Sequence, residues 1–168
     1  MANPRALYQE MILEHNRKPR NFGALDGATH HAGVHNPLCG DHIDVSLVMQ
    51  GTTIEQVGFV GEACAICKSA ASMMTVAVKG KSQADAETLI GEFVAMTTGK
   101  LDMDSPHQLG RLKVFAGIAD LPVRVKCAIL PWHTLHAALH AIDSSSTEAE
   151  QDPMRATSGD ARAVMHEQ

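Results

Sequence analysis

The sequence predicts an α+β fold in which a small antiparallel sheet of about three strands packs against several helices. Residues 43–49 mostly alternate between apolar and polar side chains, and residues 54–60 continue as a strand after a turn at Gly51. This arrangement is typical of an antiparallel hairpin. Segments with helical periodicity lie on both sides of the hairpin. At 168 residues the chain has the length of one domain, with some residues to spare.

Capping residues and prolines predict where the helices begin and end. The first helix is expected from Pro4 to about Arg17, with Asn3 as its cap and Pro19 just beyond its end. A short extended piece near Val34 supplies a third strand. Further helices are predicted over about residues 65–79, 82–97, 107–115 and 123–142.

The chain is predicted to divide into a folded domain over residues 1–142 and a polar tail over residues 143–168. The tail begins with a run of Ser and Thr and contains few bulky apolar side chains. It buries too little apolar surface to offset the conformational entropy lost on ordering. We therefore expect residues 143–168 to be disordered.

Composition and charge argue against several classes of function. A formal net charge of -5 leaves no basic surface for nucleic acid or an anionic membrane, so neither is expected as a partner. The chain shows no apolar signal segment, and no run of about 18 apolar residues could cross a bilayer. We expect a cytoplasmic protein, in which four cysteines indicate metal binding or reactive thiols rather than disulfides.

The central motif is the predicted turn Asn36-Pro37-Leu38-Cys39-Gly40-Asp41, which places a thiol and a carboxylate two residues apart. The glycine between them allows the backbone to turn tightly. The turn precedes the first hairpin strand and Cys64 follows the second, so both should lie at the same end of the sheet. Cys127 is expected in the first turns of the last helix.

Together, Cys39, Asp41, Cys64 and Cys127 are a candidate metal site. Three thiolates and a carboxylate can complete a tetrahedral zinc site, and sulfur ligands favour zinc or an iron–sulfur unit over magnesium or calcium. A helix N-terminus at Cys64 and two basic neighbours of Cys127 favour the thiolate forms. The alternative is that the cysteines are ordinary buried residues and that Asp41 only closes a turn.

Cys67 lies three residues after Cys64, on the same helical face. It could bind the metal, form a redox pair with Cys64, or pack in the core. Packing is the favoured interpretation.

The histidines have no role in this predicted site. A solvated stripe on the last helix is favoured for three of them, although their spacing is compatible with metal ligands: His133, His136 and His140. Three others are assigned to a loop without a function: His30, His31 and His35.

Several ordered motifs resemble the IscU/NifU-like iron–sulfur cluster assembly family, and within it the SufU-type proteins. The matching segments are Leu7-Tyr8, Ile12-Leu13-Glu14-His15, Pro19-Arg20-Asn21-Phe22-Gly23, residues 36–41, Gly61-Glu62-Ala63-Cys64 and Pro122-Val123-Arg124-Val125-Lys126-Cys127-Ala128. Scaffold members typically have a histidine where this chain has Lys126. The stretch around Gly110 to Leu121 resembles an insertion typical of the SufU type, whereas Cys67 replaces the usual serine.

This resemblance implies an IscU/SufU-like fold and a zinc-dependent sulfurtransferase. Zinc would be held by Cys39, Asp41, Cys64 and Cys127. A SufS-type cysteine desulfurase would displace Cys39 from the zinc, and this catalytic thiolate would take persulfide sulfur for a downstream cluster scaffold. The alternative is that the chain is itself a scaffold binding a transient iron–sulfur cluster. A structural zinc domain and a Cys64–Cys67 redox pair remain further hypotheses.

Overall fold

The computed structural model describes residues 3–37 and 40–140, together with the backbone of Ser145 and Ser146. The elements in chain order are α1 (Pro4–Arg17), β1 (His30–His35), β2 (His42–Gln50), β3 (Thr53–Glu62), α2 (Ala65–Val78), α3 (Gln83–Thr97), a 3-10 helix (Gly110–Asp120), α4 (Pro122–Leu139) and β4 (Ser145–Ser146). The strand order is β3-β2-β1-β4. The first three strands are antiparallel neighbours, and β4 pairs in parallel with β1. The predicted α+β class is confirmed.

The core lies between the sheet and the helices on one of its faces. The hairpin β2–β3 directs alternate apolar side chains into this core, among them Ile43, Val45, Leu47 and Phe59, each at most 1% exposed. Helix α4 packs on β1 and β2, and α2 packs on β3, α1 and α4. Trp132 of α4 stacks on Phe93 of α3, with ring centroids 4.6 Å apart. This packing brings the starts of α2 and α4 toward one end of the sheet.

The helix predicted over about residues 107–115 is present with later bounds, over Gly110–Asp120, and it is a 3-10 helix. Four buried apolar residues recur at intervals of three: Leu109, Leu112, Phe115 and Ile118. A 3-10 helix has three residues per turn, so this interval aligns all four on one face. Phe115 meets the rings of Tyr8 and Phe93 edge-on. The 3-10 helix therefore closes the core between α1 and α3.

The assignment of His30, His31 and His35 to a loop is wrong, because all three belong to β1. His30 pairs with Leu47 and His35 with His42 across the β1–β2 ladder. Ala32 and Val34 point into the core, and His31 and His35 alternate with them on the outer face. His30 lies on the same face as Ala32, at the start of the strand, and is half-buried. In the described part of the chain the helices pack on the inner face of the sheet, so the imidazoles of His31 and His35 are tolerated on the outer face.

Hydrogen bonds link the end of α1 and the loop after it to α2. The Ser72 hydroxyl accepts a hydrogen bond from the Arg20 amide at 2.8 Å and lies 2.7 Å from His15 Nδ1. The Asn21 side-chain amide donates to Thr75 Oγ1 at 3.0 Å. Burial lowers the pKa of His15, and the Arg20 charge acts in the same direction. The neutral ring is thus favoured, with Nδ1 free to accept the Ser72 hydroxyl proton.

The lowered pKa of His15 predicts a loss of stability on acidification. Its ordinary pKa is 6.5, so below that pH the unfolded chain binds a proton that the folded chain resists. This contribution is fully present above pH 6.5 and is lost progressively below it. Urea unfolding at several pH values should show this slope in the wild type and a weaker slope in His15→Asn. The exposed control His35→Gln should keep the slope, and equal slopes in all three proteins would contradict the prediction.

The predicted end of the last helix and the tail lie largely beyond the structural description. α4 ends at Leu139, and the described residues continue only to 140. The division into a 1–142 domain and a disordered 143–168 tail stays a prediction, since only Ser145 and Ser146 of that tail have a described backbone. Within the described ranges, none of the helices combines the length and apolar character needed to cross a membrane.

Candidate metal centre

Asp41 is held in a closed turn immediately before β2. Two backbone hydrogen bonds of 2.8 Å close this turn, from Gly40 N to the Asn36 carbonyl and from Asn36 N to the Asp41 carbonyl. Gly40 has φ +78°, a conformation that favours glycine. The Asp41 side chain is 4% exposed, and its Oδ1 accepts a hydrogen bond from Cys64 N at 2.9 Å. Its Oδ2 is buried without a hydrogen-bond partner among the described residues.

Cys64 is the N-cap of α2, as the sequence indicates. Its Sγ accepts a hydrogen bond from the Cys67 amide at 3.4 Å, and the residue is exposed. A hydrogen bond from the Cys127 side chain is the largest influence lowering the Cys64 pKa to about 7, helped by the backbone amides of Cys67 and Ile66. Burial and the nearby Asp41 charge oppose this shift. The Cys64 thiolate is therefore substantially populated at neutral pH.

Cys127 completes the group from the second turn of α4, where it is buried. The carboxylate of Asp41 and the sulfurs of Cys64 and Cys127 place ligand atoms within 4.8 Å of one another. The structure thus brings together three of the four residues predicted for the site. Cys39 lies outside the described residues, and its role stays a prediction.

The charged and thiol neighbours divide into exposed and buried groups. Arg124 and Lys126 are exposed, and the Lys126 ammonium has no lone pair with which to bind a metal. Cys67 is fully buried in the core, in agreement with the packing interpretation. Its sulfur is not part of the group formed by Asp41, Cys64 and Cys127.

Tyr8 is a neighbour of the centre that the sequence indicated only as part of an apolar stripe on α1. Burial raises its pKa, the Arg124 charge lowers it, and the Cys64 charge raises it. The phenol therefore lies within electrostatic range of both residues. In the sequence, Tyr8 is marked only by the Leu7-Tyr8 family motif and by the apolar stripe on α1. Neither feature shows that α1 approaches the starts of α2 and α4.

The chemistry of this donor set fits zinc or iron. Two sulfurs and one carboxylate oxygen are a mixed set that soft or borderline metals accept, whereas magnesium and calcium require oxygen ligands throughout. A buried carboxylate oxygen without a partner is costly unless a cation satisfies it. The unpartnered Asp41 Oδ2 is therefore an observation that favours a cation at this place.

Comparisons with known proteins identify the family of this chain. The family model of the NifU-like N-terminal domain matches residues 7–128. The zinc-dependent sulfurtransferase SufU of Bacillus subtilis is 37% identical over 134 residues, covering 80% of this chain and 90% of SufU. The iron–sulfur cluster assembly scaffold protein IscU of Streptococcus pyogenes is 35% identical over 133 residues, covering 79% of this chain and 82% of IscU.

A solved structure shows the same architecture. It is that of a candidate iron–sulfur cluster assembly scaffold of the SUF system from Fervidobacterium islandicum, with TM-score 0.73 and 29% identity. The match covers 80% of this chain and 98% of that protein. The chain therefore belongs to the IscU/NifU-like family of iron–sulfur cluster assembly proteins, which carry the NifU-like N-terminal domain, and resembles its SufU-type members.

Proposed function

We propose that this protein is a zinc-dependent sulfur acceptor that takes persulfide sulfur from a cysteine desulfurase for iron–sulfur cluster assembly. The observation that carries the proposal is the buried, unpartnered Oδ2 of Asp41 beside the thiols of Cys64 and Cys127. The similarity to a relative named as a zinc-dependent sulfurtransferase supports it.

The zinc would be held by Asp41, Cys64 and Cys127, with Cys39 as the fourth ligand. When bound, zinc keeps cysteine ligands deprotonated at neutral pH. The protein contributes to the same end, since hydrogen bonds to Cys64 Sγ already lower the pKa of that thiol to about 7. Asp41 is held in place by the Cys64 amide, which fixes one carboxylate oxygen and leaves the other available.

Cys39 would act as the nucleophile. Its thiolate attacks the terminal sulfur of the desulfurase persulfide, and the bond between that sulfur and the desulfurase cysteine breaks. The desulfurase cysteine leaves as a thiolate, and Cys39 becomes the persulfide, so charge and electrons balance. A downstream cluster scaffold would then receive the sulfur from Cys39.

The surface beside the centre is suited to a protein partner. Cys64 is exposed, so the centre opens to solvent on one side. Leu7, next to Tyr8, is 40% exposed, and Val123, next to Arg124, is 75% exposed. Exposed apolar side chains next to a site favour a contact surface for another protein. The proposal of a SufS-type desulfurase as that partner rests on the similarity to SufU.

Alanine production by a SufS-type desulfurase, measured without iron, tests this function. Zinc-loaded wild type should accelerate turnover, and Cys39→Ser should remove the acceleration because a hydroxyl cannot accept sulfur as a persulfide. Cys67→Ser is the matched control, since it changes a core thiol outside the centre, and it should keep the acceleration. Unchanged stimulation by Cys39→Ser would refute the sulfur-acceptor role.

The second candidate is a scaffold that binds a transient iron–sulfur cluster. It is favoured by the thiols of Cys64 and Cys127, which suit iron as well as zinc, and by the scaffold name of the Streptococcus pyogenes relative. Anaerobic reconstitution with iron and sulfide should then yield a coloured protein that transfers its cluster to an apo-acceptor. Failure to assemble a cluster, combined with iron-independent stimulation of the desulfurase, would exclude it.

A further inference from the structure

A second group of potential metal ligands lies where α3 packs against α4. His136 lies in the last turn of α4, His140 is the C-cap of that helix four residues later, and Glu87 faces them from α3. Such spacing places two imidazoles on one face of a helix, one turn apart. Nothing in the sulfur chemistry of the first centre uses these residues. Cys127 precedes His136 by nine residues, which is about 14 Å along the helix axis, so one ion cannot serve both groups.

The three side chains already converge. His140 Nε2 lies 2.6 Å from Glu87 Oε1, and the rings of His136 and His140 have centroids 4.6 Å apart. The ligand atoms of all three residues lie within 4.8 Å of one another. Glu87 and His136 are half-buried, whereas His140 is exposed. The group is therefore accessible to an ion from solvent.

We propose that Glu87, His136 and His140 form a second metal site that binds a divalent transition-metal ion of the zinc type. Two imidazoles and one carboxylate are a ligand set that zinc uses when it keeps a fourth position open for water. Two histidines four apart on one helix are a recurrent way to supply the imidazole pair. Nitrogen and oxygen donors without sulfur distinguish this site chemically from the thiol centre.

Only small rearrangements are needed to hold an ion. Tetrahedral zinc with bonds of about 2.0–2.1 Å places its ligand atoms about 3.3 Å apart. The Glu87 and His140 side chains are 38% and 41% exposed, so their rotamers can adjust without disturbing the core. A bound ion would link α3 to α4 near the end of α4. It should thus stabilise the folded chain by mass action.

Titration of zinc into full-length protein already carrying one equivalent at the thiol centre tests the proposal. A second equivalent should bind, with affinity measured by competition with a chromophoric chelator. Glu87→Gln and His136→Gln should each weaken this second binding about tenfold or more. Excess zinc should also raise the melting temperature of the wild type more than that of His136→Gln.

The matched control lies on the outer face of the sheet, where His31 and His42 approach Asp44 at 3.9 and 3.4 Å. His42→Gln removes an imidazole from that group and should leave the second zinc equivalent unchanged. Absence of a second equivalent, or equal affinity in wild type and the Glu87 and His136 variants, would overturn the proposal. Loss of affinity in His42→Gln alone would also overturn it. The proposal does not depend on sulfur transfer by the first centre.

Discussion

Asp41→Asn is expected to lower zinc affinity at the thiol centre by about 100-fold or more. Mutating a residue that only supports a metal ligand typically lowers metal affinity 10–100-fold, and Asp41 is proposed to bind the metal directly. An asparagine oxygen can still accept the Cys64 amide hydrogen bond that Asp41 Oδ1 accepts at 2.9 Å. The buried Oδ2, however, is replaced by an amide nitrogen that has no lone pair available for a metal. Competition with a chromophoric chelator would measure the difference.

In the metal-free protein, the same substitution should not lower the stability of the fold. A buried carboxylate oxygen without a partner destabilises the fold, so metal-free Asp41→Asn should be at least as stable as metal-free wild type in urea. Asp44→Asn is the control, since it makes the same chemical change three residues along, on the outer face of the sheet. If Asp41→Asn retained the wild-type zinc affinity, Asp41 would not be a ligand.

Gly61→Ala is expected to destabilise the fold by about 3 kcal/mol or more, because steric overlap adds to backbone strain. Gly61 has φ +147° and pairs with Ile43 across the hairpin. A Cβ at this position would overlap the backbone carbonyl of His42 and crowd the Ile43 Cα. Neither atom can move without shifting β2, which begins next to Asp41. Zinc affinity should therefore fall together with stability.

Urea unfolding provides the measurement, and Gly91→Ala provides the control. Gly91 lies within α3, and a Cβ there would meet no atom within 4 Å. Alanine is favoured over glycine inside a helix by about 0.5–1 kcal/mol, so this variant should be slightly more stable than wild type. Gly61→Ala should therefore lower the free energy of unfolding and Gly91→Ala should raise it slightly. A Gly61→Ala variant with wild-type stability would contradict the prediction.

Local signals in the sequence predicted most elements, because each signal acts within a few residues. Asn3 caps α1 by accepting the Arg5 amide at 3.0 Å, and Ser82 caps α3 by accepting the Asp85 amide at 3.1 Å. The hairpin followed from its alternating side chains. The local signals missed the 3-10 form and later bounds of the helix over residues 110–120, because 3-10 runs longer than three or four residues are uncommon. They also missed that β1 includes His30, His31 and His35, because Gly33 and the adjacent histidines weaken its strand pattern.

For the candidate thiol centre, the sequence predicted which residues could bind a metal but not how close together they lie. Asp41 and Cys64 were expected at one end of the sheet, because a hairpin returns the chain to the end at which its first strand begins. Their distance from Cys127, and the burial that leaves Asp41 Oδ2 without a partner, depend on how α2 and α4 pack. No local pattern encodes that packing.

The sequence by itself determined the local elements, the family, and the residue types that can bind a metal, because these depend on neighbours in the chain. Only the tertiary structure decided which of those residues meet. Of the histidines predicted as a stripe on the last helix, His136 and His140 meet a carboxylate only because α3 places Glu87 against them. Such contacts are set by the burial of apolar side chains between elements, and this burial is a property of the whole fold.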